Sequence, residues 1–333
     1  MFEQKNRIRN VNVVVLIIIF CFIFNSGFFV SAVAENDSLT LPGFVNDANS
    51  VLPAKKTTST GIELILIPAG EYTVSYRVLE EIILPPDRTK DDSNQLISEA
   101  IFADAGLLHL LKKPPVNPNP VSLVYENMSR RIVISKPFYL GKYPVTQRQW
   151  EEIMESNPSK FSGNPDNPVE NVNWYAAQEF ISRINTKEST DRYRLPTSAE
   201  WQYASDGMQT VQYWGNNFSE IVNYGWFYGN SGGTTHPVGM KLPNKWNLYD
   251  MLGNVCEWVQ DVFNLETCGT PSVCKGLDGD MPVLVDPIRS PLDGFGILRG
   301  GTWNRDTLLA LGNFSSGVKD GGIAGLRLAL SVD

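Results

Sequence analysis

The sequence predicts a loop-rich α+β domain, and three observations carry that class. A few segments have alternating, strand-like apolar patterning, three others have capped helical periodicity, and the second half is rich in aromatic residues, Gly and Asn with little regular period. With 333 residues, 42% of them hydrophobic and 19% charged, the chain is long enough to bury a full core.

Lys5, Arg7 and Arg9 precede the apolar run "VNVVVLIIIFCFIF", and Ala32-Val33-Ala34 gives a small-residue cleavage pattern before Glu35. Residues 1–34 are therefore expected to be a signal peptide. The alternative is an uncleaved membrane anchor, although the run is short for a span and is broken by Asn25, Ser26 and Gly27. Cleavage predicts a secreted or periplasmic protein without stable membrane insertion. The net charge is −8, and the expected leader removes three basic residues and one acidic one. The more acidic remainder is a poor match for nucleic acid or anionic lipid. It is expected to be a monomer.

Residues 35–60, "ENDSLTLPGFVNDANSVLPAKKTTST", are polar and rich in Ser, Thr and Pro, and predict a linker. The fold is expected to start at "GIELILIPAGEYTVSY", with one alternating strand, a Pro-Ala-Gly turn and a second short strand. Residues from about 78 to 120 read as an insertion that contains the helix-like "SNQLISEAIFADAGLLHLLKK" and the breaker "PPVNPNP". "RRIVISKPFYLGKYPVT" is strand-like. Three helices are then predicted: one begins at a Thr146/Gln149 capping box, and "WYAAQEFISRIN" buries Trp174, Ala177, Phe180, Ile181 and Ile184 on one face. The third, "TSAEWQYAS", begins at a Thr197/Glu200 capping box.

Beyond the leader, the cysteines are Cys256, Cys268 and Cys274. In an oxidising compartment, Cys268 and Cys274 are the plausible disulfide around "TCGTPSVC", and Cys256, set among apolar neighbours, is expected to be inert core. Only two histidines occur, His109 and His236, so a His-rich metal site cannot be built. His236 is expected to hydrogen-bond structurally. Asp250, Glu257 and Asp261 place carboxylates in "NLYDMLGNVCEWVQD", where nothing marks one as the general acid of a glycosidase. Asp250 and Glu257 could supply hard oxygens to calcium beside the Gly253–Asn254 turn, or could simply hydrogen-bond an irregular loop.

The blocks "LILIPAGEY", "FYLGKYPVTQRQW", "NPVENVNWYAAQEFI", "YRLPTSAEWQYA", "YWGN", "THPVGMKLPNKWNLYDMLGNVCEW" and "LRGGTW" to "AGLRLA" follow one another in this order. Together they resemble the formylglycine-generating enzyme (sulfatase-modifying factor) family over roughly residues 61–333. The resemblance implies that family's variant of the C-type-lectin-like fold. It also implies a structural calcium ion held by Asp250, the carbonyls of Gly253 and Val255, and Glu257. A second family ion would lie near Asn223, where no carboxylate partner is evident. The family's copper thiolates align with Arg305 and Ala310, which cannot supply soft ligands, so neither copper nor formylglycine formation is expected.

The expectation for function is a ligand-binding or accessory protein for a protein, peptide or saccharide ligand. Its lectin-like face would consist of Trp303, Asn304, Arg305, Asp306 and Asn313, with Trp as an apolar platform and the others as directional hydrogen-bonding groups. No catalytic residue stands out. Two alternatives remain: a divergent tailoring enzyme, similar to the periplasmic branch that matures a siderophore chromophore, and a C-terminally diversified binding protein of a diversity-generating retroelement. Leu308, Leu309, Ala310 and Leu311 look more like packing than display.

Overall fold

The structure is a computed structural model that describes residues 7–9, 52–83, 122–206, 218–262, 283–287, 295–305, 314–317 and 322–332. The apolar run of the leader, the helix-like stretch with His109, Cys268, Cys274, Asp306, Ala310 and Asn313 lie outside these residues.

The central layer is a five-stranded sheet ordered β2 (Lys55–Thr57), β3 (Glu63–Ile67), β6 (Phe138–Gly141), β15 (Ala329–Ser331) and β7 (Tyr193–Arg194). Its inner strands β3 and β6 read as nearly continuous apolar runs because both faces are covered there, whereas the edge strand β2 is Lys-Lys-Thr. Leu64 and Tyr139 join a core cluster with Trp150 and Phe180, while Ile65, Ile67, Phe138 and Leu140 join a second with Trp201 and Tyr203. Alternation along a strand sends neighbouring side chains to opposite faces, so both must be apolar here.

Helices α1 (Gln147–Met154) and α2 (Trp174–Lys187) contribute to the first cluster, and α3 (Ser198–Asp206) contributes to the second. The α1 capping box is present, with Thr146 accepting from the Gln149 N–H and Gln149 returning to the Thr146 N–H. Thr197 and Glu200 do the same for α3. Ala177, Phe180, Ile181 and Ile184 are the buried face of α2, and the Phe180 ring stacks on Trp150 at 5.2 Å. Trp174 stands at the edge of that face and donates its indole N–H to the Val259 carbonyl.

Two expectations are corrected. The domain starts before Gly61: β2 pairs antiparallel with β3, the Tyr139 hydroxyl donates to the Pro53 carbonyl, and Thr58 and Thr60 are buried with their hydroxyls bonded to each other. The edge strand itself is polar, Lys-Lys-Thr, and the turn after it satisfies its Thr hydroxyls internally, so composition disguised both as a linker. Nor is the second strand short. β4 (Gly70–Ile83) runs past residue 78 and pairs with β5 (Ser122–Ile134), so the arms of a long antiparallel pair carry the base of the expected insertion. That sheet also contains β11 (Leu284–Val285) and the three-residue strand β1 (Arg7–Arg9), which pairs with Glu81–Ile83.

A further sheet, ordered β13 (Phe314–Gly317), β12 (Phe295–Arg299), β10 (Cys256–Val262) and β14 (Ala324–Leu326), lies beside the first core cluster. The tail "AGLRLAL" is thus two buried strands of different sheets, β14 at an edge and parallel to β10, and β15 in the interior and antiparallel to both β6 and β7.

The loop between α1 and α2 is built around Glu170, a buried carboxylate that accepts from the Phe161 N–H at 2.9 Å while its own N–H donates to the Ser159 hydroxyl. Burial raises its pKa against the pull of the Phe161 and Lys160 amides. The folded protein therefore holds the Glu170 proton more tightly than the unfolded chain does. Stability from this group is full below the ordinary value of 4.5 and falls as pH rises through the window above it. Glu170→Gln should flatten that part of the stability–pH curve, as measured by urea unfolding between mildly acidic and neutral pH. In the same assay, Phe180→Ala should cost about 3–5 kcal/mol, because the ring leaves a cavity against Trp150.

Candidate functional site

The site is an assembly of irregular loops above β10. β8 (Gly225–Trp226) and β9 (Leu252–Gly253) run parallel so closely that a Cβ on Gly225 would strike the Leu252 carbonyl and one on Gly253 the Trp226 carbonyl. Glycine is required at both positions, and Gly253 also has φ +73°. This approach brings Trp226 next to Asn254, whose N–H donates to the Trp226 carbonyl at 2.8 Å.

Asn254 is fully buried at φ +59° and joins four segments. Its Oδ1 accepts from the His236 N–H, its Nδ2 donates to the His236 carbonyl and to Asp250 Oδ1, and its own carbonyl accepts from the Trp303 N–H and the Thr302 hydroxyl. His236 is structural, as its sequence context suggested. Its ring stacks on Trp226 at 3.8 Å and its Nε2 lies 2.7 Å from the Ser231 carbonyl.

Beneath this layer lies a buried ion pair. The Arg327 Nε lies 3.1 Å and 3.0 Å from the two Glu257 oxygens, and its Nη2 donates to Glu257 Oε1 at 2.8 Å. Arg327 also donates to the carbonyls of Gly141 and Tyr249, and the Trp201 indole N–H donates to Glu257 Oε2 at 2.7 Å. Neither Glu257 nor Arg327 is exposed to solvent. Asp250, at φ +53°, accepts from the Gly239 N–H at 2.7 Å; burial pushes its carboxyl up to about 6 against the pull of that amide and of Arg327. Asp261, the third carboxylate of this stretch, is also buried and accepts from the Ser198 N–H at the start of α3.

The wall presented by the "RGGTW" turn is partly described. Gly300 and Gly301 take φ +91° and +70°, and the Gly300 carbonyl accepts from the Gly253 N–H. Trp303 is half-buried and meets Phe161 edge-on at 5.1 Å, with the Lys160 ammonium over the Phe161 ring. The Ser231 hydroxyl donates to the Trp303 carbonyl, and the Tyr228 N–H donates to the Arg305 carbonyl. Asn304 and the Tyr228 ring are exposed.

The donor sets at this site suit neither of the two metals that the resemblance implies. Copper does not fit Arg305, because a guanidinium has no lone pair to give and Cu(I) requires soft ligands. The Cys256 thiol faces the interior, bonds the Ile323 carbonyl and is pushed up to about 12 by burial, so it is inert. For calcium, Glu257 does not fit as arranged, since both of its oxygens already accept from Arg327 and one also from Trp201. Among the described residues no group of three or more His, Cys, Asp or Glu side chains is placed to hold a metal ion.

Sequence reasoning missed Arg327, Trp201 and Phe161, and read Asn254 as part of a turn without its bridging side chain. A signal existed for Arg327: a lone cation inside an apolar tail must have a buried anionic partner. Among the described residues, no helix is long and apolar enough to cross a membrane.

Residues 50–331 match the sulfatase-modifying factor enzyme 1-like domain, FGE-sulfatase. Chaperone protein LppX of Paenibacillus barcinonensis is 34% identical over 182 residues, covering 39% of this chain and 64% of LppX. The formylglycine-generating enzyme of Thermomonospora curvata is 31% identical over 137 residues, covering 37% of this chain and 43% of the enzyme. The chain thus spans less than two thirds of the length of either relative. Treponema denticola variable protein 1 superposes with a TM-score of 0.56 at 23% identity, over 84% of this chain and 99% of that one. PvdO from Pseudomonas aeruginosa gives 0.55 at 18% identity, over 88% and 100%, and at these identities both likenesses are of fold alone. The domain match runs from the edge strand β2 to the interior strand β15, so this chain belongs to the FGE-sulfatase family and has its α+β variant of the C-type-lectin-like fold.

Proposed function

We propose that this protein is a monomeric, extracytoplasmic ligand-binding or accessory protein that does not make formylglycine. Its ligand, a protein, peptide or saccharide, would sit on the wall formed by Trp303, Asn304 and Arg305; Asp306 and Asn313, also expected to take part, lie outside the described residues. The observation that carries this reading is the Trp303–Phe161 pair, an edge-to-face aromatic platform beside the exposed Asn304 and Tyr228. Half-exposed aromatics give apolar contact area at low entropic cost, and neighbouring amides give direction.

Two further points support it. Arg305 stands where a soft thiolate would be needed, and a guanidinium favours recognition of carboxylates or carbonyls over redox chemistry. The Paenibacillus relative is named a chaperone protein, which favours an accessory role toward another protein. The sequence of residues 1–34 supports export.

The test has two arms. Purified protein is incubated with a cysteine-containing sulfatase-motif peptide, Cu(I) and oxygen, beside an active formylglycine-generating enzyme. Mass spectrometry should show the peptide unchanged by this protein and converted by the control, and conversion by both would overturn the reading. In the second arm, saccharides and unfolded peptides are titrated against the intrinsic Trp fluorescence. Trp303→Ala should weaken any saturable binding at least about tenfold, as expected for an aromatic anchor. Binding at full strength to Trp303→Ala would remove the wall from the account.

A further inference from the structure

The turn from Asp250 to Glu257 carries two buried carboxylates and, by family resemblance, the position of a calcium ion. The chain itself supplies a different cation there. We propose that the Arg327 guanidinium, by taking up both oxygens of Glu257, removes the carboxylate that calcium would need, so that this part of the fold is held together without metal.

Arg327 binds the class of oxygen that calcium prefers, and the ligand it shares with the implied calcium set is Glu257. The Arg327 N–H groups point at two carboxylate oxygens of Glu257 and at the backbone carbonyls of Gly141 and Tyr249, with N···O distances of 2.8–3.1 Å. Calcium would take this same class of hard oxygen, but would need six to eight of them at about 2.3–2.6 Å. A planar guanidinium needs fewer acceptors, and its fork matches a carboxylate side-on. The Trp201 indole N–H adds a further donor to Glu257. A calcium ligand is expected to keep an oxygen lone pair open toward the ion, and here the donors converge on both oxygens.

Charge balance points the same way. Asp250 and Glu257 repel one another, and Asp250 is attracted by both Arg327 and Lys241. Lys241 is held in place by the Val222 carbonyl at 2.8 Å and by the face of Trp226 at 3.9 Å. Two anions are thus matched by two cations from the chain. The remaining acceptor capacity of Asp250 is used by the Gly239 amide and the Asn254 side chain.

The test is metal dependence of the purified protein. The thermal midpoint should be the same in EGTA and in millimolar calcium, and terbium should give no Trp-sensitised emission that calcium displaces. A calcium-induced rise in the midpoint that Glu257→Gln or Asp250→Asn abolishes would overturn the proposal. A rise that survives both variants puts the ion elsewhere and leaves this turn metal-free, as proposed. A terbium-soaked crystal decides the matter without any variant: an anomalous peak between Asp250 and Glu257 overturns it, and none there upholds it. Arg327→Met should lower the midpoint sharply, and adding Glu257→Gln should restore part of the loss, because the double variant no longer buries a lone charge.

Discussion

The buried Arg327–Glu257 pair is the constraint on which the rest of the structure depends. Taking two opposite charges out of water costs several kcal/mol per ion, and mutual attraction repays this only when every other polar valence is met. Here that requires Trp201 from α3, Gly141 at the end of β6, Tyr249 before the Asp250 turn, and β10 and β14 in register. If any of these is misplaced, a charge or a carbonyl is left buried and unpaired. The pair therefore acts less as a source of net stability than as a penalty on every wrong arrangement of these five segments.

The loop layer above inherits that order. Asn247, Asp250, Gly253, Asn254, Gly300 and Gly301 all have positive φ, and four of the six lie between Asn247 and Asn254. Left-handed backbone at non-glycine residues is unfavourable and persists only where surrounding bonds over-determine it. Asn254 shows how: its backbone and side chain are bound to Trp226, His236, Asp250 and Trp303 at once, and the Asp250 turn is anchored below through Tyr249 and Arg327. A loop-rich region can be rigid when its hydrogen bonds replace the missing sheet and helix ladders.

What the sequence made legible was local. The capping boxes at Thr146 and Thr197, the α2 face, the inert Cys256 and the structural His236 depend on neighbours a few residues away or on simple burial chemistry. β2 was hidden because Lys-Lys-Thr has no apolar alternation and gains its strand only by pairing with β3, while Thr58 and Thr60 satisfy each other just beyond it. The partner of Glu257 was hidden by distance along the chain, since Arg327 lies 70 residues away and Gly141 lies 186 residues from Arg327. The wall was only half legible: "RGGTW" marks a turn, but Phe161 reaches Trp303 from a distant loop whose own shape depends on the buried Glu170.

The way the wall is held explains how it can vary in chemistry without loss of fold. Trp303 is fixed by its own N–H on the Asn254 carbonyl and by its carbonyl accepting from Ser231. Arg305 is fixed by its N–H on the Thr302 carbonyl and by its carbonyl accepting from Tyr228. These four bonds belong to the backbone of the wall and do not depend on which side chain sits at 303, 304 or 305. The Arg327–Glu257 pair beneath is made of side chains and tolerates no such exchange. A scaffold divided in this way can keep its charged core while replacing a thiolate by an arginine on the surface, so that function can diverge while the fold stays the same.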